Sequence, residues 1–234
     1  MALTLAARGA RRASYAAACA AAAQQFVQPS VPGVPRPTRH AGRYLGRLRA
    51  ATFGTVGGVS VARQTTIGVS IPIPAPHGDY LQRRRADFGD PQAWQIPAHI
   101  TLLPPTAVDQ DAYAAFRSHC ADVASAQSPF DVVLRGTGTF RPLSDVVFIQ
   151  VAQGVSNCEA LERALRSGPV RRDLDFYYHP HVTVAHNVAT ASLDRAFGEL
   201  ADYSVAFQVD GYHLYELGDD GVWRPVHEFA LVGD

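Results

Sequence analysis

Apolar and polar positions alternate with a period of two from about residue 64 onward. Ile67, Val69, Ile71 and Ile73 are separated by Thr66, Gly68, Ser70 and Pro72, the pattern of a half-buried strand. Asp79 then stands where a helix cap is expected, ahead of Leu81 and Phe88, and Gly89 ends that short helix. Ile96 to Leu103 predicts a second strand, stopped by Pro104 and Pro105. Asp109 opens a second helix, whose one face carries Tyr113, Phe116, Cys120 and Val123. Phe130 to Leu134 predicts a third strand.

The same plan then recurs. Val146 to Val151 is a β-rich run, and Ser156 with Glu159 has the spacing of a capping box. Cys158, Leu161 and Leu165 form the apolar face of that helix, which Ser167-Gly168-Pro169 terminates. Phe176 to Ala185 predicts a strand, Ser192 to Leu200 a short helix, and Tyr203, Val205, Phe207 and Val209 another alternating strand. Tyr212 to Leu217 and Val222 to Leu231 predict a hairpin around Gly218-Asp219-Asp220-Gly221. Each half thus reads strand, helix, strand, helix, strand. Two α+β lobes packed face to face are the natural arrangement. This body spans 64–234.

Residues 1–63 are different in kind. They are rich in Ala, Pro and Arg, and regular periodicity is missing. The formal net charge of zero hides this break: residues 1–78 hold nine Arg and no acid, so the remainder carries a charge of −9. Every one of the 21 basic residues is Arg. A basic tail for nucleic acid, a weak targeting signal and a start of translation nearer Val56 or Val59 all fit such a segment. The expectation is an extension that the body does not need. Charged residues are only 18% and hydrophobic ones 47%, which excludes wholesale disorder. No run of 18 strongly apolar residues predicts a membrane span. Cys19, Cys120 and Cys158 are too few and too scattered for a disulfide scaffold or a Cys-rich zinc site, so a cytoplasmic protein is expected.

The candidate chemistry lies at matching places in the two halves. One strand reads Ala98-His99-Ile100-Thr101-Leu102, the other Pro180-His181-Val182-Thr183-Val184, with the two His 82 residues apart. On a strand, residues i and i+2 share a face. His99 and Thr101 therefore point one way, as do His181 and Thr183, while the apolar partners point to a core. Two imidazoles and two hydroxyls converging on a groove suit a phosphodiester. One imidazole can take a proton while the other gives one, and the hydroxyls can donate to phosphate oxygens. An unperturbed His, near pKa 6.5, is suited to this at neutral pH. No metal or cofactor is required.

These two motifs resemble those of the 2H phosphoesterase superfamily, most of all its LigT or 2′-5′ RNA ligase branch. Phe176-Tyr177-Tyr178-His179-Pro180 before the second motif and the ending Gly221-Val222-Trp223-Arg224-Pro225-Val226 are also similar in style. The resemblance covers about residues 65–231. It implies a bilobal α+β LigT-like fold, with an antiparallel sheet in each pseudo-symmetric lobe flanking a central cleft. It implies catalytic roles for His99 and His181 and phosphate contacts from Thr101 and Thr183. The implied reaction is opening of 2′,3′-cyclic phosphates or 2′-5′ linkages, with reverse ligation in some members. The implied substrate is an RNA end or a cyclic nucleotide, handled by a monomer.

One departure stands out. LigT-type members often carry Arg three positions after the second motif Thr, and here that position is His186. Arg141 is a candidate to replace that cation, and Tyr178 a candidate to stack on a base. Arg83-Arg84-Arg85 reads as a solvated helix face or a contact to RNA phosphate at the cleft rim. His179, His181 and His186 are close in sequence, but His186 has the wrong parity to join the other two around a metal. A non-catalytic RNA- or nucleotide-binding module on the same fold is the alternative to an enzyme. The −9 body favours a small or end-only substrate over extended RNA.

Overall fold

A computed structural model of the chain describes residues 64–233, apart from 173, 175 and 176. The basic extension expected over 1–63 and Phe176 of the predicted second motif strand lie outside the described residues. In chain order the described elements are β1 (Thr65–Pro72), α1 (His77–Asp87), β2 (His99–Val108), α2 (Gln110–Ser125) and β3 (Phe130–Thr139). They continue with β4 (Val146–Gln153), α3 (Val155–Arg166), β5 (His181–His186), α4 (Thr190–Glu199), β6 (Ser204–Val209), β7 (Gly211–Leu217) and β8 (Trp223–Ala230).

The strands form two four-stranded antiparallel sheets, in the orders β2-β1-β7-β8 and β5-β4-β3-β6. The lobes are therefore not the two halves of the sequence. β3, which closes the first half, pairs with β4 and β6, and the terminal hairpin returns to β1. One continuous apolar cluster includes Ile67, Ile71 and Leu102 of the first sheet together with Leu134, Ile149 and Val182 of the second. The helices brace across the lobes: α1 lies against β5, and α3 lies against β2.

Several local expectations need correction. Pro104 and Pro105 do not stop β2, which runs on to Val108. β2 is an edge strand, where a missing N–H costs the ladder nothing if it faces outward. The irregularity is absorbed as a bulge, because Ile67 pairs with Thr106 and Val69 with Leu103. Asp79 lies in the first turn of α1, whose N-cap is Pro76. Ser156 and Glu159 make no capping box: the N-cap of α3 is Gly154, with φ 89°. A Cβ there would come within 2.8 Å of the Asp131 carbonyl, so the close approach of β3 selects glycine. The second motif strand starts only at His181, not at 176. Asp109 does cap α2, accepting from Ala112 N at 2.8 Å. β1 is covered on both faces rather than half-buried: Gly68 and Ser70 are buried along with Ile67, Val69 and Ile71, and the Trp223 ring lies over Gly68.

Candidate active site

The two His-x-Thr motifs sit on edge strands of different sheets, β2 and β5, which face each other. His99 lies opposite Pro72 and Thr101 opposite Ser70 on β1. His181 lies opposite Gln150 and Thr183 opposite Phe148 on β4. Ile100, Leu102, Val182 and Val184 are buried in the core, as strand parity requires. All four motif side chains, His99, Thr101, His181 and Thr183, line one cleft of about 510 Å³ counted out to solvent. Its other walls are Arg85, Gln92, Gln95, Ile96, His186 and Trp223.

Both motif histidines have the same local setting. His99 Nδ1 lies 2.7 Å from the carbonyl of Pro97, and His181 Nδ1 lies 2.7 Å from the carbonyl of His179. A carbonyl can only accept, so Nδ1 carries the proton in each ring. The neutral tautomer then has its lone pair on Nε2. Each backbone carbonyl thus fixes a base nitrogen of defined identity.

Burial sets the protonation state. Desolvation pushes His99 down to about 4, opposed by its hydrogen bond to Pro97 and assisted by the positive charge of Arg85. Desolvation likewise pushes His181 down to about 3, opposed by its hydrogen bond to the His179 carbonyl and assisted by the charges of the His179 and His99 rings. The expectation of imidazoles near 6.5 therefore fails for the free protein. The rings around His181 explain its dry setting. Phe140 meets it edge-on at 5.1 Å between centroids, Phe148 lies at 5.2 Å, and His179 stacks at 6.1 Å. Phe148 can sit there because residue 138 is glycine, where a Cβ would lie 2.5 Å from the Phe148 ring.

The remaining expected site residues part company. His186 is buried on the cleft wall, and desolvation lowers its pKa despite the nearby carboxylates of Asp90 and Asp145. Tyr178 is not presented for stacking: its hydroxyl donates to the carbonyl of Thr101 at 2.8 Å, which ties the approach to β5 directly to β2. Arg141 is not among the lining residues, and its guanidinium pairs with Asp194 at 2.8 Å. Arg172, in the stretch before β5, donates to the carbonyl of Pro105 and adds a second tie between the motif strands. Arg85 was readable as a solvated face but is buried, pairing through Nε with the buried Asp90 at 2.7 Å. Its spacing from Leu81 and Phe88, four and three residues, places it on the inner face of α1; that signal was available in the sequence. Gln92, Gln95 and Trp223 had no such signal. Trp223 N bonds the Gln95 carbonyl at 2.8 Å, joining β8 to the loop before β2, and Gln92 N in the same loop bonds the Asp90 carboxylate.

Among the described residues no group of three or more His, Cys, Asp or Glu side chains is arranged to hold a metal ion. Nor is any described helix long and apolar enough to cross a membrane. Burial pushes the Cys120 and Cys158 thiols up to about 12, so neither is a ready nucleophile.

Comparison with known proteins agrees with this architecture. A family model described as the 2′-5′ RNA ligase superfamily matches residues 73–221. Two bacterial proteins that carry the name "Putative phosphoesterase" are 25% identical. One, from Halalkalibacterium halodurans, aligns over 70% of this chain and 96% of its own length. The other, from Bacillus thuringiensis, aligns over 62% and 84%. Among solved structures, LigT of E. coli complexed with 3′-AMP superposes with a TM-score of 0.56 at 19% identity, over 72% of this chain and 99% of LigT. TT0787 of Thermus thermophilus superposes with a TM-score of 0.52 at 22% identity, over 72% and 99%. These two structures speak for the bilobal α+β LigT-like fold.

Proposed function

Because the chain belongs to the 2′-5′ RNA ligase superfamily, within the 2H phosphoesterases, we propose that it is a phosphodiesterase. Its substrate class is a 2′,3′-cyclic phosphate, on an RNA end or a nucleotide, or a 2′-5′ linkage. The observation that carries this reading is the matched pair of histidines. Each is held through Nδ1 by the carbonyl two residues before it, and both line one cleft with their motif threonines.

In the proposed step the cyclic phosphate lies between His99 and His181. Nε2 of one neutral imidazole takes a proton from water as the water oxygen bonds to phosphorus. The other imidazole, protonated, gives its proton to the ribose oxygen as the P–O bond breaks. Thr101 and Thr183 donate to the non-bridging oxygens. With a ribose 5′-hydroxyl in place of water, the same opening step joins two ends through a 2′-5′ linkage: the 5′ oxygen loses its proton to one imidazole and bonds to phosphorus as the bond to the 3′ oxygen breaks and that oxygen takes a proton from the other. His186 lines the same cleft, while Tyr178 and Arg141 stand outside the reacting set.

The test is turnover of 2′,3′-cyclic nucleotides and of RNA with a cyclic phosphate end, in EDTA. Turnover should persist, because the proton transfers use side chains only. His99→Ala and His181→Ala should each cost at least ~10²-fold, the usual scale for a positioned acid or base. Thr101→Val and Thr183→Val should cost less. The double His variant should lose far less than the product of the single losses. A folded His181→Ala protein that keeps the parent rate sinks the assignment. Tight binding of a cyclic phosphate with no turnover would point to the non-catalytic module.

A further inference from the structure

We propose that Arg85, held by Asp90, is the anion-binding cation of the cleft, and that its guanidinium spans from the Asp90 carboxylate to the non-bridging oxygens of the bound phosphate. The proposal rests on the reading of the cleft as a phosphodiester site. Among the described residues lining that cleft, Arg85 alone is permanently charged. The histidines and threonines beside it can carry protons or hydroxyl donors, but a phosphate anion leaving water needs a fixed positive charge as well.

The three consecutive arginines of α1 have three different fates. Arg83 is exposed, and Arg84 is spent on Asp87 and Glu199 while lying over the Phe88 ring. Arg85 turns inward and is only 7% exposed. Burying a guanidinium takes a strongly hydrated charge out of water, and an apolar residue on the inner face of α1 would avoid that cost. Asp90 offsets part of it by accepting from Arg85 Nε at 2.7 Å. The carboxylate is itself fixed, since its other oxygen accepts from Gln92 N at 2.8 Å. The bond to Asp90 uses Nε, and the terminal nitrogens carry the remaining donors of the planar fork. α1 belongs to the first lobe but packs against β5 of the second, so Arg85 stands where both motif strands meet. Its charge acts on histidines from both, depressing His99 and His186.

The test uses the full chain and inorganic phosphate as the probe, with affinity measured by calorimetry near pH 6. Arg85→Gln combined with Asp90→Asn removes both charges together, so neither is left buried alone. This pair of substitutions should weaken phosphate binding about 10- to 100-fold, the scale of charge-assisted hydrogen bonds. The His99 imidazole, followed by NMR, should then titrate at a higher pH than in the parent. Parent-like phosphate affinity in the folded variant overturns the proposal. If the neutral pair does not fold, Arg85→Lys decides. One ammonium cannot bridge Asp90 and the anion as a fork does, so affinity should fall about 3- to 10-fold; unchanged affinity overturns the proposal. Turnover of cyclic phosphates by the parent is scored separately. A parent without turnover, whose variant still loses phosphate, keeps Arg85 as the anion site and removes the hydrolytic reading. An active parent whose variant binds phosphate equally well does the reverse.

Discussion

A histidine buried among aromatic rings is neutral in the free protein, and an acid–base pair needs one of its members charged. With His99 near 4 and His181 near 3, both rings have lost their protons by neutral pH. The anion itself must bring the missing proton by stabilising an imidazolium beside it. For the free enzyme the protonated pair becomes scarcer by about tenfold per pH unit above its higher pKa. Hence kcat/KM for a cyclic phosphate should rise steadily as pH is lowered from 8 to 5, while kcat stays flatter; a kcat/KM that increases with pH over that range would contradict this. Tyr178 makes a different prediction. Tyr178→Phe deletes only the hydroxyl that holds the Thr101 carbonyl, and should cost about 1 kcal/mol in denaturant unfolding. An unchanged midpoint would show that the bond is not needed to hold the two motif strands together. The strand parity of His-x-Thr was legible in the sequence because it depends on neighbours two residues apart. The inward turn of Arg85 was legible only through Leu81 and Phe88. The tie from Tyr178 to Thr101 was not legible, since it joins residues 77 apart that only the packed lobes bring together.

At the scale of elements, side-chain patterns marked where strands and helices lie, while backbone approach decided where they start and stop. β2 continues through two prolines because it is an edge strand, and α3 starts at a glycine because β3 crowds its first turn. Neither fact is local, so propensity alone misplaced both boundaries. Gly138 makes the same point in reverse. It looks like an ordinary strand residue, yet the Phe148 ring occupies the space of its absent side chain, and that ring rests on His181. Gly138→Ala should therefore destabilise the protein by roughly 1–3 kcal/mol, as overpacking does. It should also lower kcat several-fold by shifting His181. Thermal melting together with turnover separates the two effects; parent-like values in both would remove Phe148 as a support of the motif.

For the whole molecule, the sequence disclosed two α+β lobes but not which strands compose each. The repeat of strand, helix, strand, helix, strand suggested a division at the midpoint, whereas pairing gives β3 to the second sheet and β7 and β8 to the first. The shared cleft carries a cost in acid. His99, His179, His181 and His186 all have pKa values lowered from 6.5 by burial. The unfolded chain therefore binds protons that the native protein refuses, so stability is full above about pH 6.5 and is lost as pH falls from there towards 4. Urea unfolding at pH 7 and pH 5 should show the lower midpoint at pH 5, and a higher one would refute the burial argument. The strand order also governs how the protein is born. The strands β3 to β6 are contiguous in the chain, so their sheet can assemble as soon as residue 209 has left the ribosome. β1 and β2 emerge earlier, yet β1 has an open edge until β7 arrives. During synthesis the sheet begun second is thus completed first, and the first motif strand waits on a partial sheet with an unpaired edge.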